Sequence, residues 1–198
     1  MASDELRTAF EWELVRASEL ESQGESASAI QTLQNFWDSH RTEDHDGWLH
    51  SAVLFHQGSI RKDSGDLTGA LNAFRTVNAS PADRPFYLLA AYCLAKTLDE
   101  LGEEQQAFDE LTRCLSEAGG TPGRDELSVV TVYLDLAARL GQDIPPHHRD
   151  LVGEVVRTWE IPLTESESRN PASLQAAVTA ANERLREFAA IERSRNSR

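Results

Sequence analysis

Apolar residues recur along most of the chain at steps of three and four positions, the spacing that places them on one face of an α-helix. The first such stretch covers about residues 5–23 and carries Phe10, Leu14, Ala17 and Leu20 on that face. The same pattern predicts helices over 26–39, 84–101 and 104–117, around Leu54 and Phe74, and over a stretch that ends at Gly141.

Glycines separate the helical stretches at a nearly regular interval. Gly24, Gly65, Gly102 and Gly141 are 41, 37 and 39 residues apart. After each of the first three glycines, a small residue and then a large apolar residue follow at the same spacing. These pairs are Ala29 with Leu33, Ala70 with Phe74, and Ala107 with Leu111. Internal repetition of this kind indicates an array of helix–turn–helix units.

The second unit contains the clearest repeat motif. Leu54, Gly58, Ala70 and Phe74 match the L-G and A-x3-F parts of a known repeat signature, and Pro81 closes the unit. The small residues at 58 and 70 allow two antiparallel helices to approach closely, and Phe74 fills the space above them. Ala95 replaces the packing glycine in the third unit.

On these residues the chain resembles the tetratricopeptide repeat (TPR) over about residues 9–142. The resemblance implies an all-α fold, a right-handed solenoid of antiparallel helix pairs. About three repeats and a degenerate fourth are expected, with a C-terminal capping helix. Residues 1–8 are then a lead-in, 143–169 a degenerate repeat helix and linker, and 170–198 the capping helix and a frayed tail.

The segment after the repeats allows two interpretations. Asn170 can cap a helix that begins at Pro171. Its apolar residues form a narrow seam, consisting of Leu174, Val178, Ala181, Leu185 and Phe188. This helix either covers the last apolar face of the repeats or pairs with a second copy to form a homodimer.

The TPR resemblance also implies a binding surface, because the first helix of each TPR pair lines a concave groove. Phe55 and Tyr92 are the expected apolar anchors for a partner segment, and Lys62, Lys96 and Arg139 could pair with its acidic groups. Alternatively, the two aromatic rings only cover neighbouring helices. The complete expected groove set is Leu14, Ser18, Phe55, Ser59, Lys62, Leu89, Tyr92, Lys96, Asp99, Thr131, Asp135 and Arg139.

One TPR function is excluded by the residues themselves. Chaperone-binding TPR proteins hold an acidic tail with lysines, asparagines and an arginine in this groove. The corresponding positions here are Leu14, Ser18, His56, Leu89 and Cys93. That clamp is therefore missing.

Charge narrows the choice of partner. The net charge is −14, and residues 1–123 carry 21 acidic and 9 basic side chains. Such a surface repels phosphate backbones, so we expect neither nucleic acid nor an anionic membrane as a partner. The 17 arginines and only two lysines favour a GC-rich bacterial source.

The sequence contains no pattern that predicts catalysis, a cofactor or a metal site. His45, Asp46 and His50 lie close together, but no CxxC or HExxH spacing occurs. Two cysteines are too few for a disulfide framework. The first residues have neither the basic cluster nor the apolar stretch expected of a signal peptide, and no stretch approaches about 20 consecutive apolar residues. We therefore expect a cytoplasmic protein that is not an enzyme.

Three functions remain open from the sequence. The first is an adaptor, a non-catalytic module that binds a protein segment in the groove. The second is a bacterial immunity protein or antitoxin, in which the acidic surface masks a basic toxin or nuclease. The third is a chaperone for a secreted protein.

Overall fold

The computed structural model describes residues 4–79, 86–117, 124–145, 148–150, 152–153, 164, 170, 172–177 and 179–180. All regular secondary structure in these residues is helical. The helices are α1 (Asp4–Ser22), α2 (Ser26–His40), α3 (Trp48–Asp63), α4 (Leu67–Asn78), α5 (Tyr87–Glu100), α6 (Glu104–Glu117) and α7 (Arg124–Leu140).

The chain forms two compact units, Met1–Leu101 and Gly102–Arg198. In the first unit, α1 packs on α2, α2 on α3, α3 on α4, and α4 on α5. In the second unit, α6 packs on α7. This succession of neighbouring helices confirms the predicted all-α fold.

The helix limits agree closely with the periodic pattern, which predicted the first helix over about residues 5–23, but the expected lead-in of residues 1–8 overlaps α1. Residues 4–8 belong to this helix, and Leu6 is buried. The described helix α5 begins at Tyr87, whereas Pro81 lies outside the described residues. Most of the expected degenerate helix and the seam beyond Leu174 (Val178, Ala181, Leu185 and Phe188) also lie outside them.

The repeated glycines end helices because of their backbone conformation. Gly24, Gly65, Gly102 and Gly141 have φ between 62° and 85°, and a Cβ at any of them would meet nothing within 4 Å. Space is therefore not the constraint at these positions. The constraint is the left-handed backbone conformation, because it is costly for residues that carry a Cβ.

Aspartates define where two of the helices begin. The Asp44 carboxylate accepts hydrogen bonds from the backbone N–H groups of Leu49 and His50, at 2.9 and 3.0 Å. Asp66 caps α4 by accepting from the Gly69 N–H at 2.9 Å. That hydrogen bond, followed by one from the Arg61 side chain, lowers the pKa of Asp66.

Arg61 occupies a position where the TPR signature usually has an aromatic residue. Its guanidinium lies 2.9 Å from the Asp66 carboxylate, so it connects the end of α3 to the N-cap of α4. The departure from the signature thus supports the turn between the two helices.

Gly58 allows a close contact between α3 and α4. A Cβ built on Gly58 would lie 2.6–3.0 Å from three ring carbons of Phe74, which is fully buried. Ala70 is buried on the same helix as Phe74. The predicted close packing of these helices is confirmed.

An aromatic cluster fills the core of the first unit. The imidazole of His56 lies among the rings of Phe10, Phe55 and Phe86, with centroid distances of 6.0, 5.3 and 6.0 Å. Phe86 adopts a φ of 67° just before α5, and its ring stacks on Phe55 at 5.3 Å. Burial in this cluster lowers the pKa of His56 to about 4.

A polar network lies inside the second unit. The Tyr133 hydroxyl is 2.8 Å from Nδ1 of His148, and Nε2 of His148 is 2.9 Å from the Ser116 hydroxyl. Burial raises the pKa of Tyr133 to about 12. His148 is therefore a buried structural residue that joins α6, α7 and the segment after Pro145.

The expected N-cap at Asn170 is confirmed. Its side-chain oxygen accepts from the backbone N–H groups of Ala172 and Ser173, at 2.9 and 3.3 Å. Leu174 is buried, and Gln175 donates to Asp135 of α7 at 2.8 Å. These contacts favour the capping interpretation for the start of this segment.

Replacement of Gly58 by Ala should destabilise the protein. The new methyl group overlaps the Phe74 ring, and overpacking of this kind typically costs about 1–3 kcal/mol, which exceeds the roughly 1 kcal/mol gained from helix propensity. Urea unfolding followed by circular dichroism measures the change. Gly153→Ala is the matched control, because a Cβ there meets nothing within 4 Å. If both variants had the same free energy of unfolding, the predicted overlap between a methyl group at position 58 and the Phe74 ring would be wrong.

The stability of the protein should fall between about pH 6.5 and pH 4 because of His56. The unfolded chain binds a proton at this imidazole near pH 6.5, whereas the folded chain binds it only near pH 4. Acid therefore favours the unfolded state over that window, by up to about 3 kcal/mol. Thermal unfolding at several pH values measures this effect. Between pH 6.5 and pH 4, the unfolding temperature of His56→Phe should decrease less than that of the wild type. The exposed His45→Gln should keep the wild-type profile, and parallel profiles for all three proteins would refute the assignment.

Candidate functional site

Four of the expected groove residues meet in one cleft. Ser59 and Lys62 come from the last turns of α3, and Tyr92 and Lys96 come from the facing side of α5. The cleft has a volume of about 200 Å³. Its remaining lining residues are Asp63, Phe74 and Cys93.

The four residues share the cleft because of helix periodicity. Ser59 and Lys62 are three positions apart, and Tyr92 and Lys96 are four apart, so each pair projects from one side of its helix. The buried ring of Phe74 from α4 also lines the cleft, which places an apolar surface beside the two lysines.

The two lysines of the cleft differ in their partners. The Lys62 ammonium is 2.7 Å from the Glu100 carboxylate, an ion pair that joins the ends of α3 and α5. Lys96 is half-buried and makes no ion pair with any residue in the described ranges. These are the only lysines of a chain with a net charge of −14. The cleft therefore offers one cation that an acidic group of a ligand could neutralise.

The cleft contains one thiol and one serine hydroxyl, from Cys93 and Ser59. Burial raises the pKa of Cys93 to about 11, although Lys62 nearby acts in the opposite direction. The thiol is therefore protonated at neutral pH, and a protonated thiol is a poor nucleophile. The Ser59 hydroxyl donates to the Phe55 carbonyl at 3.2 Å, within its own helix.

Phe55 does not project into the cleft as an anchor. Its side chain is only 7% exposed, and its ring contacts Phe74 and His56 and stacks on Phe86. The structure thus favours the alternative interpretation for Phe55, namely that it covers neighbouring helices. Tyr92 is half-buried and lines the cleft, so its ring remains available as an anchor.

The other expected groove residues of the first unit lie outside the cleft lining. Leu14 packs against the core cluster, and Ser18 is exposed on α1. Leu89 and Asp99 are half-buried on α5.

The remaining three expected groove residues belong to α7 in the second unit. Thr131 and Asp135 are half-buried there. Arg139 pairs with Asp135 at 3.1 Å and with Glu104 of α6 at 2.7 Å. Its guanidinium therefore already has two carboxylate partners inside this unit.

Sequence reasoning missed several residues that the structure brings forward. Asp63, Phe74 and Cys93 line the cleft, although the sequence marked Phe74 only as a packing residue, Cys93 only as a position of the missing clamp, and Asp63 not at all. Trp12 is 71% exposed on α1, although a tryptophan in an amphipathic pattern suggests the core. A comparison of equivalent positions in all repeats would have identified it.

The described residues, which leave gaps after 79, 117 and 145 and further gaps beyond 150, contain no group of three or more His, Cys, Asp or Glu side chains that could hold a metal ion. His50, which lies near His45 and Asp46 in the sequence, stacks on Trp37 with a ring-centroid distance of 4.6 Å. No helix within the described part of the chain has the length and apolar character needed to cross a membrane.

Comparison with known proteins identifies the fold. No family profile and no curated protein matches the chain. A crystal structure of TPR-like repeats from a Podosopora anserina protein described as a kinesin light chain matches with a TM-score of 0.54 and 17% identity. The match covers 90% of this chain and 89% of that one. A Gln-to-Met variant of those repeats matches with a TM-score of 0.55, 18% identity, and coverage of 95% and 93%. By fold, the protein is a TPR-like helical repeat protein.

Proposed function

We propose that the protein is a non-catalytic interaction module that binds a segment of another protein in the cleft between α3 and α5. The observation that carries the proposal is Lys96, a half-buried cation without an ion pair among the described residues, beside Tyr92 and Phe74. TPR-like repeat folds commonly serve protein recognition, which supports this class of function.

The chemistry of the cleft favours a particular kind of segment. An aromatic or aliphatic side chain could pack against Tyr92 and Phe74, because aromatic surface contributes strongly to interface energy. An acidic side chain or a terminal carboxylate could then accept a charge-assisted hydrogen bond from Lys96. Lys62 is less available, since Glu100 already neutralises it.

Loss of the Lys96 charge should weaken partner binding. We expect Lys96→Gln to lower the affinity roughly tenfold, because a hydrogen bond to a charged group contributes about 1.5–3 kcal/mol. Tyr92→Ala should cause a comparable loss. Affinity capture from lysate with mass spectrometry would identify the partner, and titration calorimetry with that partner would measure both changes.

A matched variant separates the cleft from general electrostatics. Arg75→Gln removes one positive charge from an exposed position on α4, outside the cleft lining. It should leave the affinity unchanged. If all three variants bound the partner as the wild type does, the cleft would not be the binding site.

The charge distribution supports a second candidate, an inhibitor that covers a basic toxin or nuclease. Residues 1–123 contain 12 more acidic than basic side chains. Such a surface accelerates docking to a cationic protein and makes the complex sensitive to salt.

Salt dependence distinguishes the two candidates. Binding to a basic protein should weaken by a factor of about ten or more between about 50 and 500 mM NaCl, because screening removes the long-range attraction. For an adaptor that binds its partner mainly through apolar contacts with Tyr92, the affinity should change much less over the same salt range. The measurement is the dissociation constant of the captured partner at each salt concentration, and salt-independent binding would exclude the inhibitor.

A further inference from the structure

The same helix face recurs in α1, α3, α5 and α7, and in α3 and α7 it contacts the helix that precedes it in the chain. It comprises the residues twelve, eight and five positions before each repeated glycine, which share a side of the helix because of their spacing. In α3, α5 and α7 all of these residues are buried. They are Val53, Gln57 and Ile60, then Ala90, Leu94 and Thr97, then Val129, Tyr133 and Leu136.

Contacts identify what covers this face. Gln57 of α3 donates to the Ile30 carbonyl and to the Gln34 side chain of α2, both at 3.2 Å. In the second unit, the Tyr133 ring stacks on Phe108 of α6 at 5.1 Å. In α3 and α7, the element that covers this face is thus the helix that precedes in the chain.

The same positions in α1 are Trp12, Arg16 and Glu19. Trp12 is 71% exposed, Arg16 and Glu19 are exposed, and Val15 beside them is 54% exposed. These four residues are named here the outer face of α1. Arg16 and Glu19 suit a capping surface in contact with water. Trp12 and Val15 do not, because exposed apolar surface of this kind marks interaction sites.

We propose that the outer face of α1 binds an amphipathic helix of another protein, seated as α2 is seated on α3. Trp12 is the central contact, since tryptophan is enriched among the residues that dominate interface energy. This surface is independent of the cleft between α3 and α5.

The charge of α1 selects the chemistry of the partner. The helix carries six acidic side chains and two basic ones, and one of the basic ones, Arg7, lies over the Trp48 ring at 4.7 Å. Asp4, Glu5 and Trp12 line a common depression. A second copy would bring the same acidic residues against one another, which is unfavourable. We therefore infer a partner helix with lysine or arginine at its flanks.

The helices that already occupy this kind of face suggest the central pattern of the partner. In α4, the residues six, ten and thirteen positions after the glycine are Leu71, Arg75 and Asn78, and Arg75 is exposed, so α4 does not provide the pattern. The pattern is taken from the same positions in α2 and α6, the helices that contact this face in α3 and α7. In α2 they are Ile30, Gln34 and Trp37, and in α6 they are Phe108, Thr112 and Leu115. Both sets have large apolar residues seven positions apart with a polar residue between them. A Gln or Glu at that middle position could accept a hydrogen bond from Arg16.

Two synthetic helical peptides test the proposal. Both carry Phe and Leu seven positions apart with Gln between them, and they differ only in having Lys or Glu at the flanks. Fluorescence anisotropy of the labelled peptides with the full chain should give binding of the Lys-flanked peptide at low salt. Trp12→Ser should weaken that binding about tenfold or more, and the Glu-flanked peptide should bind at least about tenfold more weakly to the wild type.

Control variants separate this face from other surfaces. Leu101→Ser removes another exposed apolar side chain, and it should leave the affinity unchanged, as should Lys96→Gln in the cleft. The double variant Glu5→Lys/Glu19→Lys should bind the Glu-flanked peptide more tightly than the Lys-flanked peptide. Circular dichroism should report the wild-type helix content for Trp12→Ser, because the ring is mostly exposed.

Three results would overturn the proposal. The first is no binding of the Lys-flanked peptide by the wild type, and the second is equal binding by wild type and Trp12→Ser. The third is self-association in sedimentation velocity that Trp12→Ser abolishes, because the occupant would then be a second copy.

Discussion

The approach of the Phe74 ring to the bare Cα of Gly58 sets how closely α3 and α4 can pack. Because α5 packs in turn on α4, this contact also fixes the separation of α3 and α5. The cleft that holds Tyr92 and Lys96 occupies that separation, and Phe74 is part of its lining. One glycine in a helix interior, unfavourable for the helix alone, is thus a condition for the site.

Electrostatics gives the two surfaces of the first unit different characters. The cleft contains both lysines of the chain and Asp63, and because Glu100 pairs with Lys62, Lys96 is its one cation without an ion pair among the described residues. The outer face of α1 combines an exposed tryptophan with surrounding carboxylates. On the two proposals made above, the cleft takes an acidic segment through Lys96 and the outer face of α1 takes a basic helix, which would allow the protein to hold two unlike partners at once.

Periodicity and the glycine spacing were sufficient to predict the helices and the repeat architecture, because both depend on local geometry. The role of Phe55 was not predictable in this way, since its burial depends on Phe86, a residue 31 positions later with an unusual backbone conformation. His148 is a similar case, because its hydrogen bonds join Tyr133 and Ser116 across the second unit. Lys62 and Lys96 line the same cleft, because helical spacing places each on one side of its helix and the packing of α3, α4 and α5 turns those sides toward each other.

The position of Cys93 gives the protein an internal chemical reporter. Cys114, the other cysteine, is completely buried, whereas Cys93 is half-buried and lines the cleft. Alkylating reagents require the thiolate, so the elevated pKa makes the Cys93 reaction slow at neutral pH and faster in alkali. A molecule seated against Tyr92 would shield this sulfur. The rate of alkylation thus reads out occupancy of the cleft in the native chain, without an introduced label.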